Sequence, residues 1–408
     1  MPIPLASKLP YSRASNCLSG VLQYEPLALS NTQRRLKNRT ALVPILNLDE
    51  YRFRAVIDWI EFRVQLARPT QAQHVQTVLR RFLARNSFID PEDKADGNVF
   101  TACTIKVQEP PSFALIYAIL HALCDKFGEA TSARVTGLEI SIDAYVAENT
   151  DASRRRLLGA LQRTIWTSRD IWANPDSRLR SIWKKESNGV QKLLPELQHD
   201  DARGRRANSE HHRAPFVDGT MYLGARDDEV MLRLMEKIKD RQRLDGSYDD
   251  LDEPSKRVRI EVTLKGSELL SIGVTDIASL RHLKLTTMQG RYFQFKLPTF
   301  KQDLDRGLSG ALQAFREEER AKVFHTTGVM GLSVMDSAVA LQRRRSWPGV
   351  RKNLRTMNRK GQRTQIPRLA APFVAYEWLN KKVSLALRNL QKREDRSWSK
   401  MAAQGVGR

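Results

Sequence analysis

The chain has 408 residues, of which 41% are apolar, so it is long enough to bury a substantial core and to form two domains. No run approaches the ~18 uncharged apolar residues of a membrane span, and the N-terminus lacks the features of a secretory signal. The three cysteines have neither paired nor metal-binding spacing, which argues against a disulfide framework and a structural zinc site and favours a cytoplasmic location.

The formal net charge of +22 is unevenly distributed along the chain. Residues 341–408 contain 18 Lys or Arg and 3 Asp or Glu, which accounts for +15 of the total. A surface this basic attracts polyanions at long range and binds them without specificity. Nucleic acid is therefore the expected partner, and a solvated basic tail without a partner is the alternative.

The first 290 residues predict an arm followed by a layered fold. Residues 1–50 show no periodicity and are expected to form a mobile arm. Strands and helices then alternate: strand 53–64, helix 70–83, strand 99–107, helix 112–128, strand 134–146 and helix 151–165. This order predicts an α+β domain over residues 51–290, with an antiparallel sheet and helices packed on one face. The polar stretch 169–218 is predicted to be a loop lying over that sheet.

Residues 219–265 predict three strands of an antiparallel meander. In the last strand Val258, Ile260, Val262 and Leu264 share one face. The opposite face carries Arg257, Arg259, Glu261, Thr263 and Lys265. Helices are predicted near 277–283, 302–322, 334–344 and 373–392, which makes residues 291–408 a basic helical DNA-binding region.

The meander strings are similar to motifs of the replication initiation factor family of rolling-circle plasmids and filamentous phages. The matching residues are Tyr222, Gly224 and Arg226, then Arg233, Glu236 and Lys237, then Arg259 and Glu261. Two further strings, around Asp58 and from Leu138 to Asp143, resemble the first two motifs of the family. One departure concerns Met235, since the family commonly has a tyrosine there.

The resemblance implies a Rep nickase-like domain that binds double-stranded origin DNA, nicks one strand and works with a host helicase. No two histidines are separated by a single residue, so carboxylates must hold any metal. Asp58, Glu139 and Glu261 are the proposed ligands, and their oxygens suit Mg²⁺ or Mn²⁺. Asp143 lies about 13 Å from Glu139 along the same strand, so only one of the two is expected to be a ligand.

Asp58 is expected, from strict alternation, on the side of Ile60 and Phe62, where an unpaired carboxylate would cost several kcal/mol. Its partner is then either a metal or an arginine such as Arg233 or Arg259. Nicking with later rejoining also needs a nucleophile that conserves the phosphodiester bond energy, and tyrosine is suited to this role.

With Met235 at the family position, Tyr222 is the first candidate nucleophile, and Tyr145 and Tyr248 are the others. Arg233 and Lys237 are the accompanying catalytic residues implied by the resemblance. For DNA contacts the sequence offers Arg259 and the basic segment with Arg343, Arg344, Arg345, Trp347, Arg351, Lys352 and Arg355.

Three functions remain open at this point. The first is a replication initiator that binds a double-strand origin and nicks one strand by metal-assisted tyrosine attack on a phosphodiester. The second is an origin-binding or regulatory protein that no longer cuts, which Met235 favours. The third is a transfer relaxase of an integrative element, which shares the chemistry of the first.

Overall fold

A computed structural model describes residues 3–12, 18–29, 36–92, 98–169, 175–183, 189–195, 209–242, 248–301, 308–346 and 373–404. The fold is α+β: large antiparallel sheets carry helices against their apolar faces. Among the described residues, no helix combines the length and the apolar character needed to cross a membrane.

The strands are β1 (Ala6–Pro10), β2 (Leu18–Ala28), β3 (Arg39–Pro44), β4 (Tyr51–Thr70), β5 (Phe88–Glu92), β6 (Phe100–Gln108), β7 (Glu129–Val146), β8 (Ile165–Trp166), β9 (Arg180–Ile182), β10 (Val190–Lys192), β11 (Thr220–Leu223), β12 (Val230–Lys237), β13 (Lys239–Gln242), β14 (Tyr248–Asp250), β15 (Arg257–Lys265), β16 (Gln294–Lys301) and β17 (Phe373–Ala375). Within the described ranges they form a nine-stranded sheet in the order β10-β9-β11-β12-β15-β7-β4-β6-β5. A six-stranded sheet has the order β1-β2-β3-β16-β17 with β8 also paired to β16, and β13 and β14 form a hairpin.

The helices are α1 (Ala72–Leu79), α2 (Phe113–Phe127), α3 (Asp151–Thr164), α4 (Gly266–Ser271), α5 (Met288–Arg291), α6 (Leu308–Ser346) and α7 (Glu377–Ala403). Helices α2, α3 and α7 pack against the apolar face of the nine-stranded sheet. That face includes Ile140 and Ile142 of β7 and Ile260 and Val262 of β15, all at most 1% exposed. The opposite face of the same strands is polar, and it carries the residues predicted to act in chemistry.

Local sequence signals place several elements correctly. Helix α2 begins after Ser112, whose hydroxyl accepts a hydrogen bond from the backbone N–H of Leu115, and it ends at Gly128, which has a φ of 70°. The predicted meander is confirmed, because β11, β12 and β15 are antiparallel neighbours. Helix α3 begins one residue after Thr150, whose side chain caps it.

The expectation of a mobile arm over residues 1–50 is wrong for the described part of this segment. Strands β1, β2 and β3 join the six-stranded sheet, and β3 pairs with β16 through Ala41 and Thr299. Leu9, Leu22 and Tyr24 are at most 2% exposed. The pairing partner lies more than 250 residues away in sequence, so no local pattern announces it. The division of the chain into domains remains a prediction.

Two other segments differ from their predictions. Strands β9 and β10, within the predicted loop 169–218, extend the edge of the nine-stranded sheet next to β11 instead of lying over it. The predicted helices near 302–322 and 334–344 form α6, which is broken at Gly328. Helix α7 packs on β4, so the basic C-terminal region contributes a helix to the main core.

Candidate metal and nicking site

A β-bulge in β4 decides where the Asp58 side chain lies. Ile57 pairs with Ile140 and Trp59 pairs with Glu139, so Asp58 and Trp59 together oppose a single residue of β7. Trp59 and Ile60 are adjacent and both buried, so the alternation of buried apolar positions changes phase here. The sequence-based placement of Asp58 on the apolar side is therefore wrong, because the bulge turns its carboxylate to the polar face.

On that face the three predicted carboxylates come together from three strands. Oxygens of Asp58 in β4, Glu139 in β7 and Glu261 in β15 all lie within 4.8 Å of one another. We call these three residues the acidic cluster. Glu139 and Glu261 are 1% and 4% exposed. Glu139 also lowers the pKa of Asp58, and Asp58 raises the pKa of Glu139, so the two carboxyl groups are close enough to affect each other's ionisation.

Two arginines contact the acidic cluster from either side. Arg233 donates from Nη2 to Glu139 Oε1 at 2.7 Å, and its Nε lies 2.6 Å from Glu261 Oε2. Arg259 contacts Asp58, and its Nη1 lies 3.7 Å from Glu261 Oε1. The arginine partner that the sequence allowed for Asp58 is thus present. The cluster still carries one more carboxyl group than these two guanidinium groups can neutralise.

Burial acts to raise the pKa of all three carboxyl groups, and the neighbouring groups determine the net shift of each. Burial raises the pKa of Glu261 to about 8, against the attraction of Arg233 and with the repulsion of Glu139 and Asp58. Burial likewise raises the pKa of Glu139, with Arg233 opposing it. For Asp58, burial also acts to raise the pKa, but Arg259 and the hydrogen bond from Glu139 hold it below its ordinary value.

The donor set fits a hard divalent cation. All three candidate ligands offer carboxylate oxygens, and Glu261 Oε2, although 2.6 Å from Arg233 Nε, makes no hydrogen bond among the described residues. A cation would offset the repulsion among the three carboxylates and would give that oxygen a second partner. Three protein ligands leave positions for water and for a phosphate oxygen.

The candidate nucleophile Tyr222 lies in the same cross-strand row as Glu261. Tyr222 pairs with Arg233, and Arg233 pairs with Glu261. At about 4.8 Å per strand, the Tyr222 backbone is roughly 10 Å from that of Glu261. The ring is half-buried, with the Arg180 guanidinium carbon 5.0 Å from its centre. Met235 lies on the same face, opposite Arg259.

The other candidate tyrosines differ in position. Tyr145 lies on the polar face of β7, six residues and about 20 Å along the strand from Glu139. It is therefore farther from the acidic cluster than Tyr222. Tyr248 lies in β14, outside the nine-stranded sheet.

The two basic residues Lys237 and Arg259 have different surroundings in the structure. Lys237 lies on the polar face four residues beyond Arg233, and its Nζ is 3.3 Å from Asp240. Arg259 is 1% exposed and donates to both oxygens of Asp143, at 2.8 Å from Nη2. This corrects its prediction as a DNA contact, because both ends of its guanidinium are occupied by carboxylates.

The basic segment predicted to bind DNA falls largely outside the described residues. Arg343, Arg344 and Arg345 belong to the last turns of α6 by their backbone. The remaining predicted contacts, Trp347, Arg351, Lys352 and Arg355, lie outside the described residues.

Sequence reasoning missed several neighbours of the acidic cluster. Thr263 donates its hydroxyl proton to Glu139 Oε2, and its position on the polar face of β15 was the available signal. Lys106 Nζ lies 3.5 Å from the centre of the Trp59 ring. A Cβ at Gly137 would come within 2.7 Å of that ring, so glycine allows Trp59 to lie flat beside Glu139.

Comparisons with known proteins give little beyond this geometry. No family model and no curated protein matches the chain. Among solved structures, the fold is similar to a rolling circle replication initiator protein from Geobacillus stearothermophilus, with 9% sequence identity and a TM-score of 0.29. The match covers 70% of this chain and 96% of that one. A TM-score this low assigns neither activity nor substrate.

Proposed function

We propose that this protein is a replication initiator that nicks and rejoins one strand of origin DNA, using Mg²⁺ or Mn²⁺. The observation that supports this most is the row on the polar face of the nine-stranded sheet. It brings Tyr222, Arg233 and Glu261 into register next to Asp58 and Glu139. A nucleophile, a cation for phosphate and a carboxylate metal site are the parts that such a reaction requires.

In the proposed reaction the Tyr222 hydroxyl loses its proton and its oxygen attacks the scissile phosphorus. The bond from Tyr222 to phosphorus forms as the bond from phosphorus to the 3′ oxygen breaks, and the departing oxygen gains a proton. Arg233, 25% exposed at its side chain, is placed to contact the phosphoryl group. Asp58, Glu139 and Glu261 would hold the divalent ion, which would stabilise the charge that develops on the phosphate.

The tyrosyl phosphodiester conserves the energy of the broken bond, so the 3′ oxygen can attack it in reverse and close the strand. The protein would stay joined to the 5′ end of the nicked strand while a helicase, its expected partner, unwinds the duplex. A transfer relaxase of an integrative element would use the same residues on a different DNA.

A second candidate function is origin binding without cleavage. Two observations favour it: Met235 stands where the family commonly has a tyrosine, and Arg233 and Arg259 already neutralise much of the acidic cluster. In this case the cluster would be an ion-pair network that holds three strands together.

A covalent-adduct assay separates the two functions. Wild-type protein is incubated with a labelled single-stranded origin oligonucleotide and Mg²⁺ or Mn²⁺, and the adduct is resolved on a denaturing gel. Tyr222→Phe should abolish the adduct, because the change removes only the attacking oxygen. Tyr117→Phe is the matched control, since Tyr117 lies in α2 against Trp398, on the helical side of the sheet.

An adduct that survives in Tyr222→Phe would exclude Tyr222 as the nucleophile and make Tyr145 the next residue to test. Absence of any adduct with the wild-type protein under both metals would favour the binding protein.

A further inference from the structure

The polar face carries a second group of charged residues beyond the acidic cluster, toward the start of β4. Arg52 and Arg54 are exposed there and lie on the same face as Asp58, at every second position of the strand. Arg54 pairs across the sheet with Asp143, and Arg52 pairs with Tyr145. Their backbones are about 6.6 Å apart along the strand.

The one carboxylate opposite these arginines is already engaged. Asp143 accepts hydrogen bonds from Arg259, and its Oδ2 lies 3.1 Å from Arg257 Nε. In the described part of the chain, neither Arg52 nor Arg54 is within ion-pair distance of a carboxylate. Arg52 instead lies over the Tyr145 ring, with its guanidinium carbon 5.1 Å from the ring centre.

Helix α7 adds two more arginines at the adjoining edge of the sheet. Trp59 is the first residue of β4 that pairs with β6, so the part of β4 before it is paired with β7 alone among the described strands. Arg393 reaches this edge and donates from Nη2 to the carbonyl of Ala55. Burial lowers the pKa of Arg393, and the nearby Arg54 and Arg396 lower it further while Glu394 opposes them, so both arginines repel Arg393.

A concentration of like charge in excess of the nearby carboxylates destabilises the folded chain, and a polyanion would relieve it. Guanidinium groups also match the oxygens of a phosphate in a two-pronged hydrogen bond. We propose that Arg52, Arg54, Arg393 and Arg396, which we call the arginine track, bind the sugar–phosphate backbone of a single DNA strand leading to the acidic cluster. This inference rests on the proposed function for the identity of the strand and for its direction toward the cluster.

The test is the binding of a fluorescein-labelled single-stranded oligonucleotide, followed by anisotropy in EDTA. The double variant Arg52→Gln and Arg54→Gln should bind about tenfold more weakly. The plot of log affinity against log salt should also flatten by about 1.4, since each phosphate contact on a single strand contributes about 0.7.

The matched control is Arg63→Gln. Arg63 lies on the same strand beyond the bulge and is paired with Glu92 at 2.7 Å, so the loss of one positive charge there should leave affinity and salt dependence unchanged. Arg396→Gln is a second variant at an exposed position, and among the described residues the hydrogen bond of its guanidinium group goes to the Lys392 carbonyl of α7. It should weaken binding and flatten the salt plot by about 0.7. Thermal unfolding of each variant confirms that it is folded.

Wild-type affinity and salt slope in the Arg52, Arg54 double variant would overturn the proposal. So would an equal loss in Arg63→Gln, or a loss confined to duplex DNA. Because EDTA removes divalent ions, the assay does not depend on nicking. A protein that forms no adduct with DNA but loses affinity in the two arginine variants would disprove the nicking function and support the arginine track.

Discussion

Two buried polar networks in this protein are built on opposite principles. The acidic cluster in the nine-stranded sheet gathers charged groups, with three carboxyl groups against Arg233 and Arg259. The second network joins the six-stranded sheet to α6 through neutral groups. There, Ser7 Oγ lies 2.7 Å from His325 Nδ1 and 3.2 Å from the Tyr24 hydroxyl.

The pKa shifts of Glu261 and His325 show the difference between the two networks. In the acidic cluster, burial and mutual repulsion leave Glu261 with a pKa of about 8, which is a cost that a bound cation would remove. In the second network, burial lowers the pKa of His325 to about 4, so the ring is neutral and its Nε2 donates to the Pro4 carbonyl at 2.7 Å. The first network is incompletely satisfied and suits a ligand, whereas the second is complete and suits a structural role.

The largest expected effect is on chemistry alone. Glu261→Gln should reduce metal-dependent nicking of supercoiled origin DNA below detection, because an amide is a poor ligand for Mg²⁺. The free energy of unfolding in metal-free buffer should be unchanged or higher, since glutamine resembles the protonated carboxyl group that burial favours. Urea unfolding with and without Mg²⁺ measures this. Normal nicking in Glu261→Gln would remove Glu261 from the metal site.

Arg259→Met should lower the free energy of unfolding by about 3–5 kcal/mol, because it leaves Asp58 without its buried cation and Asp143 with Arg257 alone. The control Arg63→Met breaks an ion pair that is more than a third exposed and should cost less than about 1 kcal/mol. Equal stability losses in the two variants would mean that the buried pair is no more important than a surface pair.

Acid should destabilise two buried histidines, His325 of the second network and His212, whose Nδ1 lies 2.9 Å from the Thr327 hydroxyl of α6. The pKa values of His325 and His212 are both lowered to about 4, first by burial, then by the neighbouring Arg163 and His211 respectively, with the Pro4 carbonyl opposing this at His325. The unfolded chain therefore binds more protons, and stability present above pH 6.5 is lost as the pH falls toward 4. At about 1.4 kcal/mol per pH unit, the loss approaches roughly 3 kcal/mol for each histidine.

Urea unfolding of wild-type protein and of His325→Phe between pH 7 and pH 4.5 measures this dependence. The variant should lose less stability than the wild-type protein over that range. Identical pH profiles would show that His325 does not contribute to the acid sensitivity.

The smallest expected effect comes from Ser7→Ala, which leaves His325 Nδ1 without a partner and should cost about 1–3 kcal/mol. Nicking at temperatures well below unfolding should be normal, since Ser7 is far from the acidic cluster and belongs to the other sheet. A nicking defect in the folded variant would contradict the separation of the two networks.

Much of the nine-stranded sheet could be predicted because its signals are local. Alternation in β15 places Glu261 and Arg259 on one polar face, and Ser112 with Gly128 marks both ends of α2. The strands around the acidic cluster are central and covered on one side by helices. The alternation of apolar residues along each strand therefore identifies its buried face from the sequence.

The side of β4 on which the Asp58 side chain lies could not be predicted from the local sequence. Strict alternation puts its side chain among Ile60 and Phe62, but the bulge shifts the phase of β4 by one residue. The adjacent apolar residues Trp59 and Ile60 mark the change of phase, yet they have this meaning only once β7 is paired beside them.

The sequence by itself determined the class of fold, the polar face of the meander and the three carboxylates that meet there. The tertiary structure decided their surroundings: the turn of Asp58 toward Glu139, the use of Arg259 by Asp143, and the docking of β3 on β16. The physical reason is the separation along the chain of the residues that interact. Side-chain periodicity depends on residues a few positions apart, whereas the ion pairing and strand pairing named here join residues about 80 to 260 positions apart, and their energies exist only after the chain has folded.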